Sequence, residues 1–346
     1  MKLKYIFALT FAICAFVATE AQDVICHMPQ TEVCIYITTE VTTSKQGMFY
    51  QYSERYLGTK DVVMADKTTC RLVSATIGTT AKADRDNTFS FKPGQPGLST
   101  FCLTRDGILK SINITEQKSS QKKNAQESDE TSKKHKCKDA VYPFSEDALL
   151  ASSTARMAES TAKQIYRLRE ARLNLLSGDV DKMPADGSSM KQVLQEITRQ
   201  EQELTSLFVG TVTKETRTET IVIPLADLLN LYETEQKAEI TAFRFSSLTG
   251  LVGADDYSGA PYYLNMTDVY RPVKPEPEKK APVLSNILYC VPGSAFFELI
   301  DENGVVTSAT VMLSQLGYNA ALPADYLKTA PAIRFDRKTG TITEAQ

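Results

Sequence analysis

The hydrophobic period of this chain changes twice, and each change limits what the residues around it can build. In TEVCIYITTEV (31–41), Val33, Ile35, Ile37 and Val41 alternate with Glu32, Cys34, Tyr36, Thr38 and Glu40. A period of two buries one face of an extended strand. Between 153 and 208 the apolar residues recur at spacings of three and four instead. Ala155, Ala158, Ala162, Ile165, Leu173 and Leu176 form one stripe; Met190, Val193, Leu194, Ile197, Leu204, Leu207 and Phe208 form another. That is the period of amphipathic helices. After 210 the strand-like character returns in TVTKETRTETIVIP (211–224). The predicted fold class is α+β: two β-rich regions, as antiparallel sheet or sandwich, separated by an antiparallel helical hairpin.

Local punctuation sharpens these elements. The first helix is predicted over 153–177, with Gly178 as its C-terminal stop. The second follows PADGSS (184–189), with Asp186 or Ser188 as its N-cap. Glu201 falls on the apolar stripe of the second helix, so Arg169 or Arg172 of the first is the expected partner. A shorter helix is predicted in MFYQYSERYLG (48–58), ending at Gly58. Asp106-Gly107 and Asn303-Gly304 mark hairpins. Further strands are expected near 70–77, 88–91, 239–247, 260–266 and 295–312.

The chain opens with an export pattern. Lys2 and Lys4 precede an apolar run, Tyr5–Ala18, too short to span a bilayer, and Thr19-Glu20-Ala21 supplies small residues where a signal peptidase reads. Cleavage before Gln22 is expected. Cys14 lacks the small preceding residue of a lipoprotein site, because Ile13 stands there. The segment 116–138 has only Ala125 and Cys137 as apolar residues, too little to offset the entropy of ordering. RPVKPEPEKKAP (271–282) holds four prolines and reads as a stiff connector. The expected organisation is therefore a signal peptide (1–21), an N-terminal β-rich domain with one short helix (22–115), a disordered charged linker (116–139), a helical hairpin (140–209) and a C-terminal β-rich domain (210–346).

Composition removes several chemistries from consideration. A formal net charge of −3 gives no electrostatic reason to bind nucleic acid. The mature chain carries no apolar run of membrane-spanning length. Histidine occurs twice: His27 lies in a strand-like stretch and His135 in a lysine-rich tract, neither a setting for a catalytic imidazole. No GxSxG, SxxK, HExxH or P-loop occurs, and no Cys/His spacing fits zinc. No metal or cofactor is expected. For the cysteines after residue 21, disulfides and plain apolar positions are equally open. One local bridge is predicted, Cys26–Cys34, because a hairpin about Gln30 would oppose them.

Two acidic stretches remain. GDVDKMPADG (178–187) fails as a calcium loop, since Met183, Pro184 and Met190 stand where ligands and the turn glycine belong. GADDYSGAPYYLNMTD (253–268) sets Asp255, Asp256 and Asp268 beside tyrosines. Tyr257, Tyr262, Tyr263 and Tyr270 are the candidate binding residues, although a turn followed by a β-edge accounts for the same pattern.

QYSERYLG (51–58), YRLREARLNLLSG (166–178), MPADGSSM (183–190), QEQELTSLFVG (200–210), FRFSSLTGLV (243–252), SQLGYNAALP (314–323) and FDRKTGTI (335–342) together carry a resemblance. Over most of its length the chain resembles an uncharacterised family, a domain of unknown function, of exported Bacteroides-type proteins of about this length. Cys26, His27 and Cys290 depart from the family pattern. The resemblance implies location and architecture but no activity. The expected function is a non-catalytic binding or structural component of the periplasm or outer cell surface, with a cell-envelope protein or glycan as partner. The alternative is a glycan-acting hydrolase that uses a pair of carboxylates.

Overall fold

The computed structural model describes residues 23–94, 97–114, 144–180, 184, 186–235, 237–276, 284–329 and 331–345. The export segment with its cleavage site, the charged linker 116–139 and residues 277–282 of the proline-rich connector lie outside the described residues.

The protein is β-rich, built from three antiparallel sheets. The first has the order β2-β1-β5, from β1 (Val24–Lys45), β2 (Lys67–Phe91) and β5 (Thr211–Ile223). The second has the order β10-β9-β8-β6-β7, from β6 (Ala238–Ser246), β7 (Gly250–Val252), β8 (Ala260–Tyr270), β9 (Leu284–Asp301) and β10 (Gly304–Pro323). The third has the order β12-β11-β4-β3, from β3 (Phe101–Leu103), β4 (Leu109–Ile112), β11 (Ile333–Phe335) and β12 (Ile342–Ala345). Helices α1 (Ser53–Leu57), α2 (Glu146–Leu149), α3 (Thr154–Ser177), α4 (Gly187–Val209), α5 (Leu225–Glu235) and α6 (Ala324–Lys328) complete it.

Two of these sheets draw strands from both sides of the helical segment. β5 pairs with β1, and β11 pairs with β4. The alternation read from 31–41 holds for Val33, Ile35 and Ile37, which are fully buried, but Val41 is half-buried and Cys34, expected on the opposite face, is buried as well. Val33, Ile35 and Ile37 meet Leu264, Met266, Phe297 and Leu299 of the second sheet, with Leu225 and Leu228 of α5 closing the cluster. A second cluster lies under the third sheet and includes Cys26, Phe91, Ile112, Cys290 and Ile333. The spacing Leu225, Leu228, Leu229, Tyr232 gives α5 a helical stripe that the sequence displays and that the reading above did not use.

β1 corrects the predicted disulfide. It runs without a turn through Pro29 and Gln30, so Cys26 and Cys34 stand eight residues apart on one strand, roughly 26 Å at about 3.3 Å per residue. Both thiols are free and buried. Pro29 does not break the strand because it faces β2 on one side only; β5 joins β1 from Val33 onward. A proline without its N–H is tolerated where no neighbour needs that donor. The segments near 70–77 and 88–91 likewise belong to one strand, β2, which bulges opposite His27/Met28.

Beyond Thr38 the first sheet is a ribbon with little cover. β5 is exposed from Thr211 to Thr220. Its threonines suit a pleated exposed surface, and Lys214, Glu215, Arg217 and Glu219 blunt its free edge against pairing with other chains. At the end of this ribbon, Gly47 presses on the end of α4: a Cβ there would lie 2.4 Å from the Leu207 carbonyl oxygen, so no larger residue fits. Phe49 then packs tilted against Phe208, centroids 5.2 Å apart and 52° between planes, within a third cluster holding Ala158, Ala162, Ile165, Leu204 and Leu207. Asp186 and Gly178 cap as expected, and Ser153, read as the first residue of the helix, is its N-cap. Ser153 accepts from the Arg156 amide, Asp186 from the Ser189 amide, and Gly178 adopts φ 76°. Glu201 meets Arg169 at 2.7 Å and Arg172 at 3.1 Å. The apolar stripes, however, are buried only in part. Leu173 and Leu176 are each 63% exposed and Leu194 is half-buried; among the described residues no sheet covers those halves of the helices. No helix among the described residues is long and apolar enough to cross a membrane.

Candidate functional site

The loop joining β7 to β8 carries the most exposed of the candidate tyrosines. It is folded by its own polar groups. The Asp256 amide donates to the Gly253 carbonyl at 3.1 Å, and the Asp256 carboxylate accepts from the Ser258 amide at 2.9 Å. That hydrogen bond holds the Asp256 carboxyl below the usual carboxylate range. Arg244 rises from β6 and ties the loop at both ends: its Nε donates to the Ala254 carbonyl at 2.9 Å and its Nη1 to the Gly259 carbonyl at 3.3 Å. The same guanidinium sits 4.3 Å from the centroid of Tyr257, whose residue surface is 82% exposed. A cation–π contact on one ring face, worth about 0.5–1 kcal/mol at an exposed site, thus favours this position of the side chain. An aromatic already biased toward one position loses less freedom when a ligand stacks on it.

The other three tyrosines do not join it. Tyr262 stacks flat on Phe243, centroids 4.6 Å apart and 9° between planes, and packs against the main core. Burial, with Asp301 and Glu302 nearby, raises its pKa. Tyr263, the next residue on β8, takes the opposite face by strand alternation, beside Thr241 and Ile300 in the register. Tyr270 is 61% exposed but closes the far end of β8, on the order of 33 Å along the strand from its start. Asp268 precedes it at φ 48°, where the ladder with β9 is irregular. A run of tyrosines in sequence is therefore dispersed over two faces and two ends. Arg244, which positions Tyr257, was not singled out from the sequence; ten or more residues separate it from the groups it holds, and only the β6–β8 register brings them together.

The hollows of the described surface bear on the carboxylate alternative. One of about 370 Å³ lies beside β1 and the start of α5, lined by Glu32, Lys82 and Gln315 among others, with Glu32 paired to Lys82 at 3.1 Å. Another of about 740 Å³ has Asp106 as its one lining carboxylate. Glycoside hydrolysis by two carboxyl groups needs both flanking one bond, roughly 5–9.5 Å apart. Neither hollow is lined by two. His27 lies under the turn between β3 and β4, its Nδ1 buried without a hydrogen-bond partner among the described residues. His135 lies outside the described residues.

The chain belongs to the family described as a domain of unknown function (DUF4831), which matches residues 23–343. No curated protein and no solved structure matches it.

Proposed function

We propose that the protein is an exported, non-catalytic binding component of the periplasm or outer cell surface, and that Tyr257 is its contact residue for an envelope glycan or protein. The carrying observation is the exposed Tyr257 ring clamped on Arg244, which the loop carbonyls hold in turn. Exposed aromatic surface normally costs solubility, and rigid exposed aromatics are a feature of recognition surfaces. The pattern at Lys2, Lys4 and Thr19–Ala21 supports the location. The helices α3 and α4 are read as an antiparallel hairpin. Supporting this, Ala158 and Ala162 from early in α3 cluster with Leu204 and Leu207 from late in α4, while Glu201 meets Arg169 and Arg172 further along. In this reading the ribbon of β1, β2 and β5 carries the hairpin away from the recognition loop. The test is capture of envelope fractions, glycan and protein separately, on immobilised mature protein beside a Tyr257→Ala variant. The variant should lose about tenfold in affinity for the captured component while its melting temperature is unchanged. Equal capture by both proteins removes Tyr257 from the reading. Turnover of a glycan substrate that a single Asp or Glu substitution abolishes replaces binding with hydrolysis.

A further inference from the structure

A second surface, on the third sheet, carries charge opposite in sign to that of the whole chain. Two hollows of about 430 and 740 Å³ share Lys110 and Arg337 as lining residues and so adjoin; together they are called the cleft below. Arg334 adds to the smaller hollow, and Arg105 and Lys338 to the larger. Among the described residues one lining carboxylate, Asp106, stands against these cations, in a chain whose formal net charge is −3. Arg334 is matched by Glu344 at 3.2 Å. Arg105, Arg337 and Lys338 form no salt bridge among the described residues.

The cations come from separate parts of the chain, and the fold fixes the elements that hold them. Lys110 is on β4, and Arg105 is on the turn before it. Arg337 and Lys338 sit on the turn between β11 and β12, which is closed on itself. The Asp336 carboxylate accepts from the Thr339 amide at 3.3 Å, and the Asp336 carbonyl accepts from the Gly340 amide at 2.8 Å. The turn is also tied to the core: buried Thr31 donates its hydroxyl to the Lys338 carbonyl at 2.8 Å, and the Cys290 amide donates to the Gly340 carbonyl at 2.9 Å. A turn held this way presents its side chains without having to order on binding.

An independent observation lies in the wall of the smaller hollow. Ser111 is 4% exposed and its Oγ is buried with no hydrogen-bond partner among the described residues. A buried hydroxyl left unpaired is costly, and native structures rarely keep one without a use. An acceptor oxygen seated in the hollow would satisfy it. Guanidinium and ammonium groups around a hydroxyl donor match the oxygens of a phosphate or sulfate ester.

We propose that this cleft binds a soluble ligand carrying phosphate or sulfate ester groups, with one ester oxygen accepting from Ser111 and the charge held by Lys110 and Arg337. The recessed position of Ser111 favours a soluble ester over a membrane, since a flat lipid surface reaches only the rim cations. The site is independent of Tyr257, so either can fail alone. The test is calorimetric titration of the purified chain with a sulfated disaccharide and with inorganic phosphate, and co-sedimentation with phosphatidylglycerol vesicles. The disaccharide should bind, inorganic phosphate should bind more weakly and compete with it, and the vesicles should not sediment the protein. Ser111→Ala and Arg337→Ala should each weaken disaccharide binding about tenfold, with melting temperature unchanged or, for Ser111→Ala, raised. Should Ser111→Ala not fold, Lys338→Ala, an exposed side chain, carries the test with several-fold weakening. The proposal is overturned if neither soluble probe binds, if Ser111→Ala and Arg337→Ala bind as the unaltered chain does, or if only the vesicles bind.

Discussion

Replacing Thr31 by Val isolates the polar joint that locks β1, β10 and the β11–β12 turn together. Thr31 is fully buried. Its Oγ1 lies 2.8 Å from the Lys338 carbonyl and 3.1 Å from Ser314 Oγ, and it accepts from the Ser314 amide at 3.2 Å. A hydroxyl has one proton, so the shorter contact, to Lys338, takes it. Valine keeps the shape and removes the oxygen. The Thr31 amide keeps its bond to Ser314 Oγ, and the Thr31 carbonyl keeps its bond from Gln315. Two part-buried backbone groups lose their partner: the Lys338 carbonyl and the Ser314 amide. Each such hydrogen bond contributes about 0.5–1.5 kcal/mol net, so the variant should be less stable by ~1–3 kcal/mol. Thr31→Ser, which keeps the oxygen and drops a methyl, should cost only about 1 kcal/mol. Urea unfolding followed by circular dichroism reads both, with the slope unchanged and the midpoint shifted. A Thr31→Val midpoint within ~0.5 kcal/mol of the unaltered chain would refute the reasoning, because it would mean that water or a rearranged turn satisfies both groups at no cost. A cycle with Ser314→Ala should show coupling of about 0.5–3 kcal/mol, as expected for directly bonded neighbours.

The remaining predictions are briefer. Phe208→Ala removes the ring packed against Phe49 and should destabilise the helical end of the molecule by about 3–5 kcal/mol, read as loss of helical signal at lower denaturant; an unchanged midpoint would place no packing weight on this pair. Leu194→Asp should cost only about 1 kcal/mol because Leu194 is half-buried, and a loss of several kcal/mol would show that another surface covers it. Burial pushes the Cys26 and Cys290 thiols up to about 11. The folded state holds these protons more tightly than the unfolded chain, whose thiols titrate near 9, so their contribution is complete below about pH 9 and fades as the pH rises toward 11. Native protein at pH 7 should leave both thiols unlabelled by maleimide, whereas denatured protein should react at both; rapid native labelling of either would contradict its burial.

What sequence alone determined here was local. Asp186, Gly178 and Gly58 mark helix ends because a cap is made within three or four residues, and Asp106-Gly107 marks a hairpin because Gly107 takes φ 80° within its own turn. The buried face of 31–41 was legible because period two has one meaning when one side is wet. The pairing of Glu201 with arginines of α3 followed from the cost of leaving a charge on an apolar stripe. What only the tertiary structure decided was everything that needs a distant partner. Pro29 reads as a turn in isolation, and only the absence of β5 beside it allows the strand to run on and hold Cys26 and Cys34 apart. The distal parts of the helical stripes, Leu173, Leu176 and Val193, stay exposed because no sheet among the described residues reaches them. Tyr257 gains its favoured position from Arg244 across two strands, and the cations around Ser111 converge from segments more than 200 residues apart. Contacts of that span leave no local pattern, since the residues that make them are selected by the packed core and not by their neighbours in the chain.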